Sequence, residues 1–170
     1  MPGSNTQRAG ILALIVVAFE IFFGRSLQIF GVRPDLFLIF IVFWSFAVDR
    51  RSAPVVAIIL GLIRDIFASG FFGSETFSYF LAGFLVSIIS LKIERQNFLM
   101  KGTTCFVFSL VHFWSFAVIA LGMNEGEGVA GNFWWLSVLH SVYTAVLAVW
   151  LIGFFERICY SRHSRISFNT

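Results

Sequence analysis

Residues 133–155 read FWWLSVLHSVYTAVLAVWLIGFF, an apolar run with no Asp, Glu, Lys or Arg in it. A helix rises about 1.5 Å per residue, so roughly 20 such residues cross the hydrocarbon of a bilayer. This run is long enough to do so by itself. Working back toward the N-terminus, five more apolar segments can be marked: 11–30, 36–48, 53–68, 76–91 and 103–121. The second and third are short for a perpendicular crossing, which leaves half-length helices, helices lengthened by their flanks, or local thinning of the bilayer. The composition agrees. Of 170 residues, 58% are hydrophobic and 12% charged, and mean hydropathy is +0.88. A soluble domain carries about a quarter charged residues; this chain has too few to cover a globule with a polar surface. A soluble enzyme is therefore excluded. The expected fold is an all-α integral membrane protein with six transmembrane helices, residues 1–170 forming a single polytopic domain.

Charge sets the expected orientation. With the N-terminus in the cytoplasm, the inner side collects Arg8, Arg50, Arg51, Lys92, Arg95, Lys101, Arg157, Arg162 and Arg165. The outer side holds Arg25 and Arg33, with Arg64 near the outer end of the third span. The outer loop 124–132 has Glu125 and Glu127 and no basic residue. By the positive-inside rule both termini are cytoplasmic, with 157–170 as a cytoplasmic tail. The net charge of +3 then reflects this loop bias and does not point to nucleic acid. Residues 22–25 make a poor signal-peptidase site, so the first run reads as a retained helix. Cys105 and Cys159 fall near cytoplasmic helix ends, where neither a disulfide nor a zinc site is expected.

Ionisable residues inside apolar runs are costly, so each is a candidate site. Glu20 sits mid-span, and Gly24 and Gln28 follow at four-residue spacing to make one polar strip on the first helix. It reads either as a cavity-lining carboxylate or as a structural pair to a neighbouring helix. Arg64 and Asp65 are adjacent and so point about 100° apart on a helix. Each must pair elsewhere, with Glu20, Arg25, Arg33 or Asp35 as candidates, unless both snorkel to the interface. His112 and His140 lack a carboxylate in their own spans. They are expected to bond hydroxyls such as Ser109, Thr144 or Tyr143, and no metal is proposed. Ser137, Ser141 and Ala145, with Ala148 beyond, form a small-residue face on the sixth helix that serves internal packing or a subunit interface. No nucleophile elbow, zinc-protease helix or phosphate loop occurs. No enzyme activity and no cofactor are expected.

Two stretches carry a resemblance. The first is Gly31-Val-Arg-Pro-Asp-Leu-Phe-Leu-Ile-Phe-Ile-Val-Phe-Trp, residues 31–44, in which a Pro-Asp turn launches an apolar helix. Pro34 presets a helical first turn and Asp35 suits its positive end. The second is Gly61-Leu-Ile-Arg-Asp-Ile-Phe-Ala-Ser-Gly-Phe-Phe-Gly, residues 61–73, running into the aromatic stretch 77–84. Gly70 and Gly73 allow a tight outer hairpin before Ser74 and Glu75 open the next helix. The order resembles the MreD family of rod-shape-determining membrane proteins over residues 31–90, and in number and hydropathy of spans beyond.

The resemblance implies a non-enzymatic scaffold in the bacterial cytoplasmic (inner) membrane. Such a scaffold binds MreC directly and, through it, connects MreB filaments to the wall synthases RodA and its class B penicillin-binding transpeptidase. It would support peptidoglycan synthesis and cell shape, and act as a homodimer. It also implies a helix arrangement like the S component of energy-coupling-factor transporters. The alternative function is therefore an S-component-like subunit that binds a vitamin or other small molecule, with Glu20, Gln28, Arg64 and Asp65 supplying polar groups to a pocket.

Overall fold

The computed structural model describes residues 3–24, 26–28, 31–67, 72–90, 98–122 and 133–160. These residues form six helices and no strand: α1 (Gly3–Phe23), α2 (Leu36–Phe43), α3 (Ala53–Phe67), α4 (Ser74–Ile89), α5 (Phe98–Gly122) and α6 (Phe133–Tyr160). Lys92, Arg95, Arg25, Gly70, the 124–132 loop, Arg162 and Arg165 lie outside the described residues.

A helix that is apolar all round belongs at a centre, and α2 is one. Every residue from Leu36 to Phe43 is buried, and α1, α3, α4, α5 and α6 all pack on it. The β-branched and aromatic sequence Leu-Phe-Leu-Ile-Phe-Ile-Val-Phe would suit a strand by local propensity; the tertiary surroundings make it helical. At Trp44–Val48 the helix widens into a π-turn, closed by the Asp49 amide on the Trp44 carbonyl at 3.1 Å. The Trp44 indole donates to Ser52 Oγ at 2.8 Å. The Asp49 carboxylate accepts the amides of Arg51 and Ser52, each at 3.1 Å, and starts α3. The Arg51 amide first, and then the Ser52 hydroxyl, hold this exposed carboxyl below its ordinary range. Together α2 and its π-turn cover 36–48, the short second segment read from the sequence.

The hairpin of α3 and α4 is the tightest pair. Its contact is made by small residues: Ala53, Ala57 and Gly61 on α3 and Gly83 on α4. A Cβ on Gly61 would stand 2.5 Å from Thr76 Cα, and one on Gly83 would stand 2.6 Å from Ala57 Cβ. Close backbone approach of this kind is how helices associate where hydrophobic burial gives no drive. Gly73, at φ +100°, makes the turn into α4, as its place in the sequence suggests.

Three expectations change. The first helix stops at Phe23, not near Phe30, because the chain turns back there: the amides of Ser26 and Leu27 bond the Phe23 carbonyl at 2.9 and 3.3 Å. Gln28 therefore lies exposed beyond the helix and is not on a strip with Glu20. Pro34 is buried but precedes Asp35, which is itself the N-cap of α2, so the proline stands before the helix and not in its first turn. On the small-residue face of α6, read as serving internal packing or a subunit interface, Ser137, Ser141 and Ala148 are buried, and the half-buried Ala145 has its carbonyl beside Gly102 of α5.

Helices Leu99–Ile119 and Phe133–Cys159 are long and apolar enough to cross a membrane, while Leu36–Val48 and Ser74–Ile89 are apolar but shorter. Outward faces are apolar too, from Ile11, Leu14 and Phe22 on α1 to Val146 and Trp150 on α6. At one end of the bundle, Lys101 pairs with Glu156 and Arg8 donates to the Cys159 carbonyl at 3.5 Å. Cys105 and Cys159 are free, buried thiols. Elsewhere in the core the Phe155 ring packs edge-on against Phe40 and Phe43.

Candidate functional site

At the opposite end, charged and polar side chains from different helices converge on Asp35. Its cap role is local: Oδ1 accepts the Leu38 amide at 3.0 Å, as an acidic N-cap should. Its backbone amide donates to Thr144 Oγ1 of α6 at 3.1 Å. The carboxylate is fully buried and takes the Tyr79 hydroxyl of α4, which lies 2.7 Å from both oxygens.

Arg64 reaches in from α3. Its Nη1 donates to the Tyr79 hydroxyl at 2.6 Å and stands 3.5 Å from Glu20 Oε1 of α1 and from Asp35 Oδ1. Its Nε faces Glu75 Oε1 of α4 at 3.4 Å, an ion pair without hydrogen-bond alignment. The side chain is 11% exposed, so it is buried and does not snorkel. His112 of α5 closes the ring, with Nε2 3.1 Å from Glu75 Oε2 and Nδ1 3.5 Å from Asp35 Oδ2. Its ring packs on Tyr79 with centroids 4.2 Å apart. With Thr144 included, all six helices contribute a group. In an apolar interior an unpaired charge is far costlier than a paired one, so each of these groups depends on the others being present.

Asp65 does separate work. Oδ1 accepts the Glu75 amide at 3.1 Å and Oδ2 the Thr76 amide at 3.0 Å, and the Thr76 hydroxyl also bonds Oδ2. A carboxylate from the last turn of α3 thereby caps α4, whose own cap residue is the side-chainless Gly73. Losing a cap costs about 0.5–2 kcal/mol. Asp65→Ala should therefore lower thermal stability in detergent while leaving helix content intact. An unchanged melting temperature would deny Asp65 that role.

The sequence-derived candidates sort accordingly. Glu20, Asp35 and Arg64 come together; Asp65, Gly61 and Gly73 build the hairpin that carries Glu75 and Tyr79; Gln28 stays apart. The histidine expectation fails for His112, which meets carboxylates brought from α2 and α4 instead of a hydroxyl. Of the hydroxyls named for the histidines, Thr144 bonds Asp35 and Tyr143 the Leu27 carbonyl at 3.1 Å, while the buried Ser109 hydroxyl has no hydrogen-bond partner among the described residues. His140 packs beside Phe113 at 5.5 Å. Tyr79 and Glu75 were not recognised as site residues. Their four-residue spacing puts both on one face of α4, and that was the available signal. Among the described residues no three His, Cys, Asp or Glu are placed to hold a metal.

The model of the family described as rod shape-determining protein MreD matches residues 8–158. The chain belongs to the MreD family. MreD is a shape-determining family of bacterial membrane proteins and is not known as an enzyme family. The chain matches no curated protein and no solved structure at a significant level. The two MreD-like stretches now have physical content. The Pro-Asp pair supplies the cap and centre of the polar cluster, and Gly61 and Asp65 close and cap the α3–α4 hairpin.

Proposed function

We propose that this MreD chain is a multi-pass scaffold of the bacterial inner membrane, with six crossing helices in one domain and both termini in the cytoplasm. It binds MreC directly and, through MreC, helps couple MreB to the lateral wall synthases RodA and its class B transpeptidase. Orientation is supported by the ends of the bundle. Arg8, Lys101 and Arg157 gather at one end, where the positive-inside rule places the cytoplasm.

One observation carries the scaffold reading: the charged groups at the outer end are spent on one another. Asp35, Arg64, Tyr79, Glu75 and His112 form a closed ring of contacts, and with Glu20 and Thr144 joined to it the cluster fastens six helices. The vitamin-carrier alternative has no observation in its favour, since Arg64 and Asp65 are already engaged and Gln28 lies away from them. Partner contact then falls to the apolar outer faces, where large side chains give contact area at modest entropy cost.

Depleting the chain from its rod-shaped host is expected to round the cells, and re-expression of the intact chain to restore rods. Rods that persist under full depletion would contradict the proposal.

A further inference from the structure

Glu20 belongs to the outer cluster but stands outside its closed ring. Its side chain is 8% exposed, with Oε1 3.5 Å from Arg64 Nη1. Oε2 is buried and has no hydrogen-bond partner among the described residues. The charges that bear on this carboxyl are Arg64 of α3, Asp35 at the cap of α2, and Arg33 in the segment before α2. The other elements packed on α1 are the π-turn and α6. The π-turn has no titratable residue. On α6, Tyr143 is bonded to the Leu27 carbonyl, and His140 acts on Asp35, His112 and Arg64.

The charges of the cluster do not balance. Glu20, Asp35 and Glu75 are three carboxyls, and Arg64 with a fully charged His112 supplies two cations. Both cations are claimed by the other two acids. Arg64 Nη1 donates to Tyr79 and Asp35 and its Nε faces Glu75, while His112 lies between Glu75 and Asp35. Arg33 is exposed. The surplus negative charge therefore falls on Glu20, whose second oxygen no donor meets. In an apolar interior a carboxyl so placed is neutralised by taking up a proton, because the lone charge costs more. Since no three His, Cys, Asp or Glu among the described residues are placed for a metal, the proton is the cation that fits.

The consequence falls on α1. Its only charged residues are Arg8 and Glu20, and it ends at Phe23, one turn past Glu20. Its outward side, from Leu14 to Phe22, is exposed, so Glu20 is the polar fastening of its outer end. A neutral carboxyl can remain in that contact. An ionised one needs water at Oε2, and water reaches it when the last turn of α1 moves away from α2.

We infer that Glu20 is a proton-binding site at the outer end of the bundle: its carboxyl is protonated while α1 is docked, and it gives the proton to water as the last turn of α1 lifts off α2. The side from which the proton comes rests on the orientation proposed above; the site itself does not.

The test is infrared difference spectroscopy of the purified full chain in mild detergent, wild type minus Glu20→Gln, from about pH 5 to about pH 9. A protonated carboxyl has a carbonyl stretch that a carboxylate lacks. The difference spectrum is expected to show that stretch at the acid end and to lose it as pH rises. The amides of Phe19 to Phe23 should exchange about tenfold faster in wild type than in Glu20→Gln at the alkaline end, and equally at the acid end. No difference band at the acid end, or one unchanged at the alkaline end, overturns the inference. Equal exchange in the two chains at the alkaline end does the same. A band that sodium chloride removes at fixed pH, and choline chloride does not, assigns the site to a metal cation and also overturns it. If Glu20→Gln fails to accumulate, Glu20→Asp decides: it keeps an acid at shorter reach and should shift the stretch, and an unshifted spectrum overturns the inference. Only the purified chain is measured, so a missing band leaves recovery of MreC untouched, and failure to recover MreC leaves the band standing.

Discussion

Asp35→Ala is expected to destabilise the folded chain by about 3–5 kcal/mol, the range for removing one partner of a buried charge network. The carboxylate is fully buried and is the contact shared by the Tyr79 hydroxyl, Arg64, His112 and the Leu38 amide. Alanine leaves a guanidinium short of its central counter-charge and removes the cap of the innermost helix. Asp35→Asn keeps an oxygen for the Leu38 amide and should fall between alanine and wild type. Thermal unfolding in mild detergent, followed by helix content, reads the order: wild type above asparagine above alanine. If alanine melted with wild type, the cluster would not be holding the helices together.

Gly61→Leu should be nearly as damaging, by a different route. The added Cβ meets backbone, with Thr76 Cα at 2.5 Å and the Thr76 nitrogen at 3.1 Å, and no rotamer can relieve such a clash. Overpacking typically costs about 1–3 kcal/mol, and the remaining side chain has to push α3 off α4. Because Asp65 caps α4 across this same contact, displacement also strips the cap. Gly61→Ala should already lower the melting temperature, with leucine lowering it further and reducing the amount of chain in the membrane. Gly83→Ala, whose Cβ would stand 2.6 Å from Ala57 Cβ and 3.4 Å from the Ala53 carbonyl oxygen, should lower the melting temperature as well, because an alanine Cβ is fixed to its backbone and cannot rotate away. Equal stability of Gly61→Ala and wild type would mean that the hairpin has slack at this point.

Much of the fold was legible because it rests on one-dimensional signals. Hydropathy marked all six helices, and the Pro34-Asp35 and Gly73 positions marked the turns that precede α2 and α4. Helix ends were less legible. The end of α1 is set by backbone bonds returning to Phe23, which leave no mark in an apolar run. The polar cluster was half legible. Glu20, Arg64 and Asp65 stood out as ionisable groups among apolar neighbours, and Arg64 does meet Glu20 and Asp35. His112 was misread because its partners come from α2 and α4, and a single-helix view contains no carboxylate. Tyr79 was missed because a tyrosine within an aromatic stretch looks like packing until its hydroxyl is seen on Asp35. Asp65 was noticed as a charge, but its role as the cap of the following helix depends on how closely Gly61 brings that helix.

The central claim, that this MreD chain works as a membrane scaffold for the rod-shape machinery, is tested most directly by purifying the tagged chain from its native membranes in mild detergent and identifying what accompanies it. The expected companions are MreC, RodA and its transpeptidase, with MreC lost when Asp35→Ala is the bait. Recovery of a transporter coupling subunit and its ATPases, with none of the wall components, would contradict that claim.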